Sequence, residues 1–234
     1  MKTSKELKQE ARMILQGRWG KAVLLNVIPS LIIIGFSLVF IVPVVVSQVI
    51  TVMSMNNGYY DYAATAGTGN YGTVSSFFSM VVGALFTSGI SWTYLDLIRG
   101  TRSEISPLKD ALRAFNGKTL VTVAILAVLV NLFSGLWGLL LIIPGIVKSY
   151  SYSQSYYIYY DSTLNEKEGL SALDAITASR KMMNGYKGKL FLLDLSFIGW
   201  HILSIATLGL GYLWLSPYIQ VTKSAFYENL AKND

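Results

Sequence analysis

Long stretches without charge alternate along this chain with short stretches rich in it. Between Ala22 and Ile98 there is no Lys or Arg, and only Asp61 and Asp96 carry charge. Thr119 to Val147 is uncharged, Lys148 interrupts, and Ser149 to Tyr160 is again free of charge; Leu190 to Thr222 contains only Asp194. A hydrocarbon core about 30 Å thick needs about 20 apolar residues per helix, so these lengths divide into six predicted spans. They fall at about 22–50, 74–98, 119–136, 138–160, 190–207 and 211–229. The stretch Asn56 to Gly72 joins the first two, and Leu208-Gly209-Leu210-Gly211 turns between the last two. The break between the third and fourth falls near Gly135, Gly138 or Pro144-Gly145.

A short segment of helical periodicity precedes each predicted hairpin. In the first, Thr3 and Glu6 form a capping box, with Leu7, Ala11, Ile14 and Leu15 on one face. In the second, Ser106 is the candidate cap, Pro107 takes the first helical position, and Leu108, Ala111, Leu112 and Phe115 make the apolar face. Ser171 and Asp174 repeat the box before Leu173, Ile176 and Met183. The predicted fold is therefore an all-α membrane protein: six transmembrane helices as three hairpins, each preceded by a cytoplasmic amphipathic interfacial helix. It is one integral membrane domain, 1–234, with internal repeats at about 1–98, 103–161 and 166–234.

The repeat is visible in the residues themselves. Arg12, Gln16, Gly17, Gly20, Lys21, Leu24 and Leu25 align without gaps to Arg180, Asn184, Gly185, Gly188, Lys189, Leu192 and Leu193. The middle copy, Arg113 to Lys118, matches only with a gap. Tyr94-Leu95-Asp96, Tyr159-Tyr160-Asp161 and Phe226-Tyr227-Glu228 each place aromatics and an acid at the inner end of a span. The glycine closing each amphipathic segment reads as turn geometry, since glycine adopts a positive φ without steric penalty; a functional hinge is the alternative.

Charge fixes direction. Lys2, Lys5, Lys8, Arg12, Arg18 and Lys21 precede the first span; Arg99, Arg102, Lys109, Arg113 and Lys118 follow the second; Lys167, Arg180, Lys181, Lys187 and Lys189 follow the fourth; and Lys232 closes the chain. The opposite loops have no cation, so both termini are predicted to be cytoplasmic. The net charge of +6 then reflects topology and attraction to anionic inner-leaflet lipids, not nucleic acid. Arg12, Arg18, Lys21, Arg180, Lys187 and Lys189 are the candidate lipid-head contacts, the amphipathic segments serving as anchors or as sensors of lipid or of a membrane-protein partner. The first apolar run is too long for a secretory signal and has no small-residue cleavage pattern, so it reads as a retained span. Tyr59, Tyr60, Tyr62 and Tyr71 read as an interfacial belt or an ordered outer loop.

Ionisable groups inside apolar runs are functional candidates, each costing about 2.5–3.5 kcal/mol at mid-bilayer. Lys148 lies thirteen residues before Asp161, about 20 Å along a helix. Tyr150, Tyr152, Gln154, Tyr156 and Tyr157 follow it and offer the lining of a polar cleft; snorkelling, or a bond to a carbonyl freed by Pro144, is the equal alternative. Asp194 lies five residues after Lys189, and Lys223 five before Glu228, so in an antiparallel hairpin they share a depth and are predicted to approach each other or to share a polar neighbour. A structural ion pair is favoured there over a proton or substrate role. His201, Asn131 and Gln48 read as interhelical hydrogen-bond partners.

The stretch Ile142 to Tyr152, the segment Ala175 to Gly185 and the run Phe191 to Trp200, with Pro217-Tyr218 and Phe226-Tyr227-Glu228, resemble the bacterial integral-membrane family labelled domain of unknown function 975. The resemblance is strongest after Gly135 and implies a cytoplasmic-membrane protein of Gram-positive bacteria. It implies no activity and carries over no functional residues.

Cysteine is absent and histidine occurs once, which excludes thiol nucleophiles, Cys-based metal sites and His clusters. There is no Walker loop, no Gly-x-Ser-x-Gly elbow and no His-Glu-x-x-His helix, and Asp61 is the only acid of the outer loop. Glu104, Asp110, Glu166, Glu168 and Asp174 are accounted for mainly by capping and helix dipoles. No cofactor is expected and an enzyme is disfavoured. A lipid- or partner-binding scaffold or regulator ranks first, and a small transporter or flippase with a path near Lys148 second. An intramembrane enzyme ranks last.

Overall fold

The computed structural model describes residues 1–36, 38, 42–55, 68–165 and 169–232. Among these there are helices and connecting turns and no strand. The expected outer loop, with Tyr59, Tyr60, Tyr62 and Asp61, and the acids Glu166 and Glu168 with Lys167 lie outside the described residues, as do the side chains of Gln48 and Tyr71.

Thr3 opens α1 (Ser4–Leu15) with the predicted box: its hydroxyl accepts from the Glu6 N–H, and its own N–H donates to the Glu6 carboxylate at 2.6 Å. Gly17 follows at φ +76°, with open space where a Cβ would stand, the conformation expected of a glycine that turns the chain into the next helix. α2 (Trp19–Phe36) and α3 (Val42–Met55) share the first apolar run, and α4 (Thr68–Arg99) returns as the longest helix. α5 (Pro107–Ala111) is a single turn. α6 (Gly117–Leu140) runs straight through Gly135 and Gly138, the chain breaks at the extended Leu141, and α7 (Ile142–Tyr152) and α8 (Ser155–Asn165) descend with an interruption at Ser153–Gln154. Pro144 thus marks the first turn of α7, where a missing N–H is harmless. The last unit comprises α9 (Ala172–Met182), α10 (Lys187–Leu195), α11 (Ile198–Ala206) and α12 (Tyr212–Ala231).

Among the described residues, three helical stretches are long and apolar enough to cross a membrane: Ser76–Arg99, Gly117–Leu140 and Lys187–Ala206; Trp19–Ile32 is apolar but shorter. Apolar side chains stand exposed along them, and Leu139 to Ile143 form an exposed apolar crest at the α6–α7 tip. A monomeric soluble protein does not present such a surface to water; hydrocarbon accommodates it.

α4 and α12 pack on one another at the centre. Phe86, Ile90, Tyr94 and Leu97 of α4 face one core together with α1, α2, α10 and α12, while Leu85, Trp92 and Leu95 face a second formed with α6, α8 and α9. Both remaining hairpins close tightly on small residues. A Cβ on Gly145 would lie 2.7 Å from the Gly138 Cα, and one on Gly211 would lie 2.7 Å from the Ser204 Cα.

The short amphipathic helices are placed differently from the expectation. The apolar stripe of α1, Leu7, Ala11 and Leu15, is covered by the protein's own core, not by lipid. α1 runs antiparallel along α12: the Lys2 N–H donates to Asn229 Oδ1, and ten residues on, the Arg12 Nε donates to the Tyr218 hydroxyl. Ala11 sits against a helix whose facing residues include Ala225, and two small side chains permit that approach. In α9, Ala172, Ala175, Ile176 and Ser179 are likewise buried, while Leu173 is exposed. α5 differs most. The Ser106 side chain makes no cap bond; the Asp110 carboxylate accepts from the Ser106 N–H instead, and Leu108 and Leu112 of the predicted apolar face are exposed.

Candidate functional site

A cavity of about 690 Å³ lies where α4, α7, α8, α10 and α12 meet. Each helix contributes residues at helical spacing: Ala84, Thr87, Ser88 and Ser91 from α4; Ser149, Tyr150, Ser153, Gln154 and Tyr157 from the α7–α8 segment; Leu190 and Asp194 from α10; and Ile219, Gln220 and Lys223 from α12. The periodicity i, i+3, i+4, i+7 aims these side chains at one axis. Small hydroxyls on α4 leave the space open, and hydroxyls and amides on the opposite wall make it polar.

The interruption at Ser153–Gln154 is built from serines. Ser149, Ser151, Ser153 and Ser155 each donate back to a carbonyl three or four residues earlier, which competes with the helical ladder and bends it. Ser179 of α9 props the bend: its hydroxyl donates to the Ser151 carbonyl at 2.8 Å and accepts from the Gln154 N–H at 3.2 Å. The Gln154 amide then turns inward, its Nε2 donating to the Ser153 hydroxyl at 2.8 Å.

Asp194 and Lys223 stand 2.9 Å apart, and the Tyr150 hydroxyl donates to the other carboxylate oxygen at 3.1 Å. This triad forms one wall of the cavity. The amide oxygens of Gln154 and Gln220 are buried and have no hydrogen-bond partner, a condition that costs about 1–3 kcal/mol for each group.

The structure therefore brings together Tyr150, Gln154, Asp194 and Lys223 of the predicted polar site and leaves Lys148 out. Lys148 is not part of the cavity lining; its ammonium lies 4.5 Å from the centre of the Trp137 ring, across the α6–α7 hairpin. The correction is one of helical azimuth: Ser149 and Tyr150 follow the face that points inward, and Lys148 falls on the opposite one. His201 reaches across to the Tyr212 hydroxyl at 3.2 Å, whereas Asn131 bonds the Ala127 carbonyl within its own helix and bridges no second one through that bond.

The predicted lipid-head cations separate into two groups. Arg18 donates to the Ser103 and Ile14 carbonyls and Lys21 pairs with Glu104 at 3.0 Å, so both are tied into the α4–α5 connection. Arg12, Arg180, Lys187 and Lys189 have no carboxylate within ion-pair reach among the described residues. Lys189 stands over the Tyr186 ring.

Sequence reasoning missed a second constellation toward the C-terminal ends of α4, α8 and α12. Arg99 meets Asp161 through two bonds and Glu228 through its Nε at 2.6 Å; Arg113 meets Asp96 at 2.7 Å. The Tyr160 hydroxyl donates to Asp96 and the Tyr227 hydroxyl to Asp161, and Arg113 donates to Tyr160. The recurring aromatic-acid endings carried the signal, with Arg99 three residues after the first of them. Tyr160 and Tyr227 each reach the acid of the preceding ending, which ties α8 to α4 and α12 to α8.

No curated protein and no solved structure matches the chain. The model of the family described as protein of unknown function DUF975 matches residues 1–148 and 139–234, and the chain, covered from end to end by the two matches, belongs to that family.

Proposed function

We propose that this chain is a six-span, non-enzymatic protein of the bacterial cytoplasmic membrane, with both termini cytoplasmic, that binds a small polar group inside the bilayer. The observation that carries the reading is the cavity beside the Asp194–Lys223 pair, with Ser149, Tyr150 and Ser153 among its lining residues. Hydroxyl oxygens and the Asp194 carboxylate are acceptors. The complement is a donor-rich group, an ammonium or a polyhydroxyl head, which would donate to them on entry. Binding is favoured over carriage because Lys148, the deep cation a transport path would use, stands over Trp137 outside the cavity. The exposed apolar belt on α6, α10 and α11 supports membrane residence, and the one-sided cations support the orientation.

The absence of cysteine makes the test direct. Single cysteines are introduced at Ser153, in the cavity lining, and at Ser204, which closes the α11–α12 hairpin, and inverted and right-side-out vesicles are treated with a membrane-impermeant cationic thiol reagent. The Ser153 cysteine is expected to react from the cytoplasmic face and the Ser204 cysteine to stay protected. A Ser153 cysteine inert from both faces would mean a dry cavity and would end the reading.

A further inference from the structure

Away from the polar cavity, two concavities meet at Arg12 and Tyr218, which line both. The first is a groove of about 340 Å³ between α11 and α12, closed from the α2 side by Trp19 and walled by Trp200, Leu203 and Trp214. From Gly211 to Tyr218 it follows α12 for seven residues, about 10 Å of helix. Trp200 and Trp214 are each about half exposed, so the groove opens sideways from the bundle. The second concavity lies against α1 and presents Lys5, Lys8 and Arg12 together with Ser4, Gln9 and Ser196. The three cations are spaced i, i+3, i+7 and share one face of α1.

No carboxylate lines either concavity. The acids of α1 are engaged elsewhere, Glu6 with Thr3 and Glu10 with Lys2. Lys8 donates to the Ser196 carbonyl at 2.7 Å and stands over the Phe197 ring; Arg12 donates to the Tyr218 hydroxyl. Both cations are thus held by neutral groups. Burial first, and then the neighbouring charge of Arg12, keep the Lys8 amine below the ordinary lysine value, as expected where positive charges gather without a counterion.

An apolar trough continuous with a cationic pocket is complementary to a molecule with an alkyl tail and an anionic head. An acidic peptide satisfies the cations and leaves the tryptophan-lined trough unfilled; a zwitterionic lipid fills the trough and leaves the net positive charge unanswered. We propose that this is a site for one anionic diacyl phospholipid, its phosphate against Lys5, Lys8 and Arg12 and one acyl chain along α12 beside Trp200 and Trp214. Which leaflet supplies the lipid follows from the topology proposed above; the site itself does not depend on it, nor on the polar cavity.

The test is native mass spectrometry of the full chain released from detergent containing equal amounts of phosphatidylglycerol and phosphatidylcholine with the same acyl chains. The wild type is expected to retain one phosphatidylglycerol in about tenfold or greater excess, given about 1 kcal/mol for each cation near a lipid phosphate. Lys5→Gln with Lys8→Gln should abolish the preference. Trp214→Ala should lower retention of phosphatidylglycerol while sparing the cations, and Lys109→Gln with Lys181→Gln, an equal loss of charge elsewhere, should change nothing. Lys5 and Trp214 are exposed, so Lys5→Gln and Trp214→Ala singly keep the test valid if the double variant does not fold. Equal retention of phosphatidylcholine, undiminished phosphatidylglycerol in the Lys5 and Trp214 variants, or complete displacement by inorganic phosphate would overturn the proposal, the last by showing a plain anion site.

Discussion

Arg99 and Asp161 meet side by side, the two guanidinium NH groups donating to the two carboxylate oxygens at 2.6 and 2.8 Å. They are 62 residues apart in sequence, and the same guanidinium reaches Glu228 with its Nε. One side chain therefore joins α4, α8 and α12 toward their C-terminal ends.

Replacing Arg99 by Met leaves the Asp161 carboxylate without its cation, while Glu228 keeps Lys232 at 3.0 Å. Loss of one partner from a buried pair costs about 3–5 kcal/mol, and from an exposed one under about 1 kcal/mol; this pair, about one-fifth exposed on each side, belongs nearer the first. Thermal unfolding in detergent should show Arg99→Met melting several degrees below the wild type, with Arg99→Lys intermediate because it keeps the charge and loses the paired geometry. Identical melting of all three proteins would remove the network from any account of stability.

Gly145 and Gly211 are fixed by close approach. An alanine Cβ at either position meets backbone of the facing helix at 2.7 Å, and such overpacking costs about 1–3 kcal/mol. Gly83, inside α4 with open space around it, should behave oppositely, gaining about 0.5–1 kcal/mol as alanine. Comparing the three variants by melting temperature separates the roles; a neutral Gly211→Ala would contradict the tight hairpin.

The α1 cap should respond to acid. Hydrogen bonds from the Thr3 N–H and hydroxyl, and the nearby charge of Lys2, hold the Glu6 carboxyl below its ordinary value. A carboxyl lowered on folding contributes stability that is present above its unfolded value and lost as the pH falls through the lowered one. Acidification from pH 6 toward 3 should therefore loosen α1, read as lower protection of the Glu6 and Leu7 amides relative to the intrinsic exchange rate at each pH, and Thr3→Ala should show that low protection already at pH 6. Exchange in Thr3→Ala matching the wild type at pH 6 would contradict the cap.

For Asp194 and Lys223, charge exchange is the discriminating experiment. Asp194→Asn and Lys223→Met singly each leave one charge facing a polar cavity, and each should destabilise by about 1 kcal/mol or more; Asp194→Lys with Lys223→Asp should recover much of that loss, giving a coupling within about 0.5–3 kcal/mol. Lys148→Met removes only the contact with Trp137, about 0.5–1 kcal/mol, and should leave Ser153-cysteine labelling unchanged. Altered labelling in Lys148→Met would place that lysine in the cavity after all.

Much of the local architecture was legible. The Thr3–Glu6 box, the Ser171 cap and the positive φ of Gly17 and Gly185 depend on residues at most four apart, and residue chemistry decides them. The aligned repeat carries over to burial: Leu25 and Leu193 are both buried, Leu24 and Leu192 both exposed. The α5 cap was misread because the Ser106 hydroxyl makes no cap bond, while the Asp110 carboxylate, four residues on, reaches back to the Ser106 N–H, and Arg102 holds that acid in place at 2.6 Å. The depth argument led to Asp194 and Lys223, since depth follows from counting along a helix.

The sequence by itself determined most of the helical stretches, the caps of α1 and α9 and the long runs without charge, because those properties arise within a few residues or from hydropathy summed along a segment. Only the tertiary structure decided that α1 lies along α12, that Lys148 turns to Trp137 while Tyr150 and Gln154 face the cavity, and that Arg99 gathers Asp161 and Glu228. Those outcomes depend on the rotation of each helix about its own axis. Packing against other helices sets that rotation, and no spacing within one helix contains it.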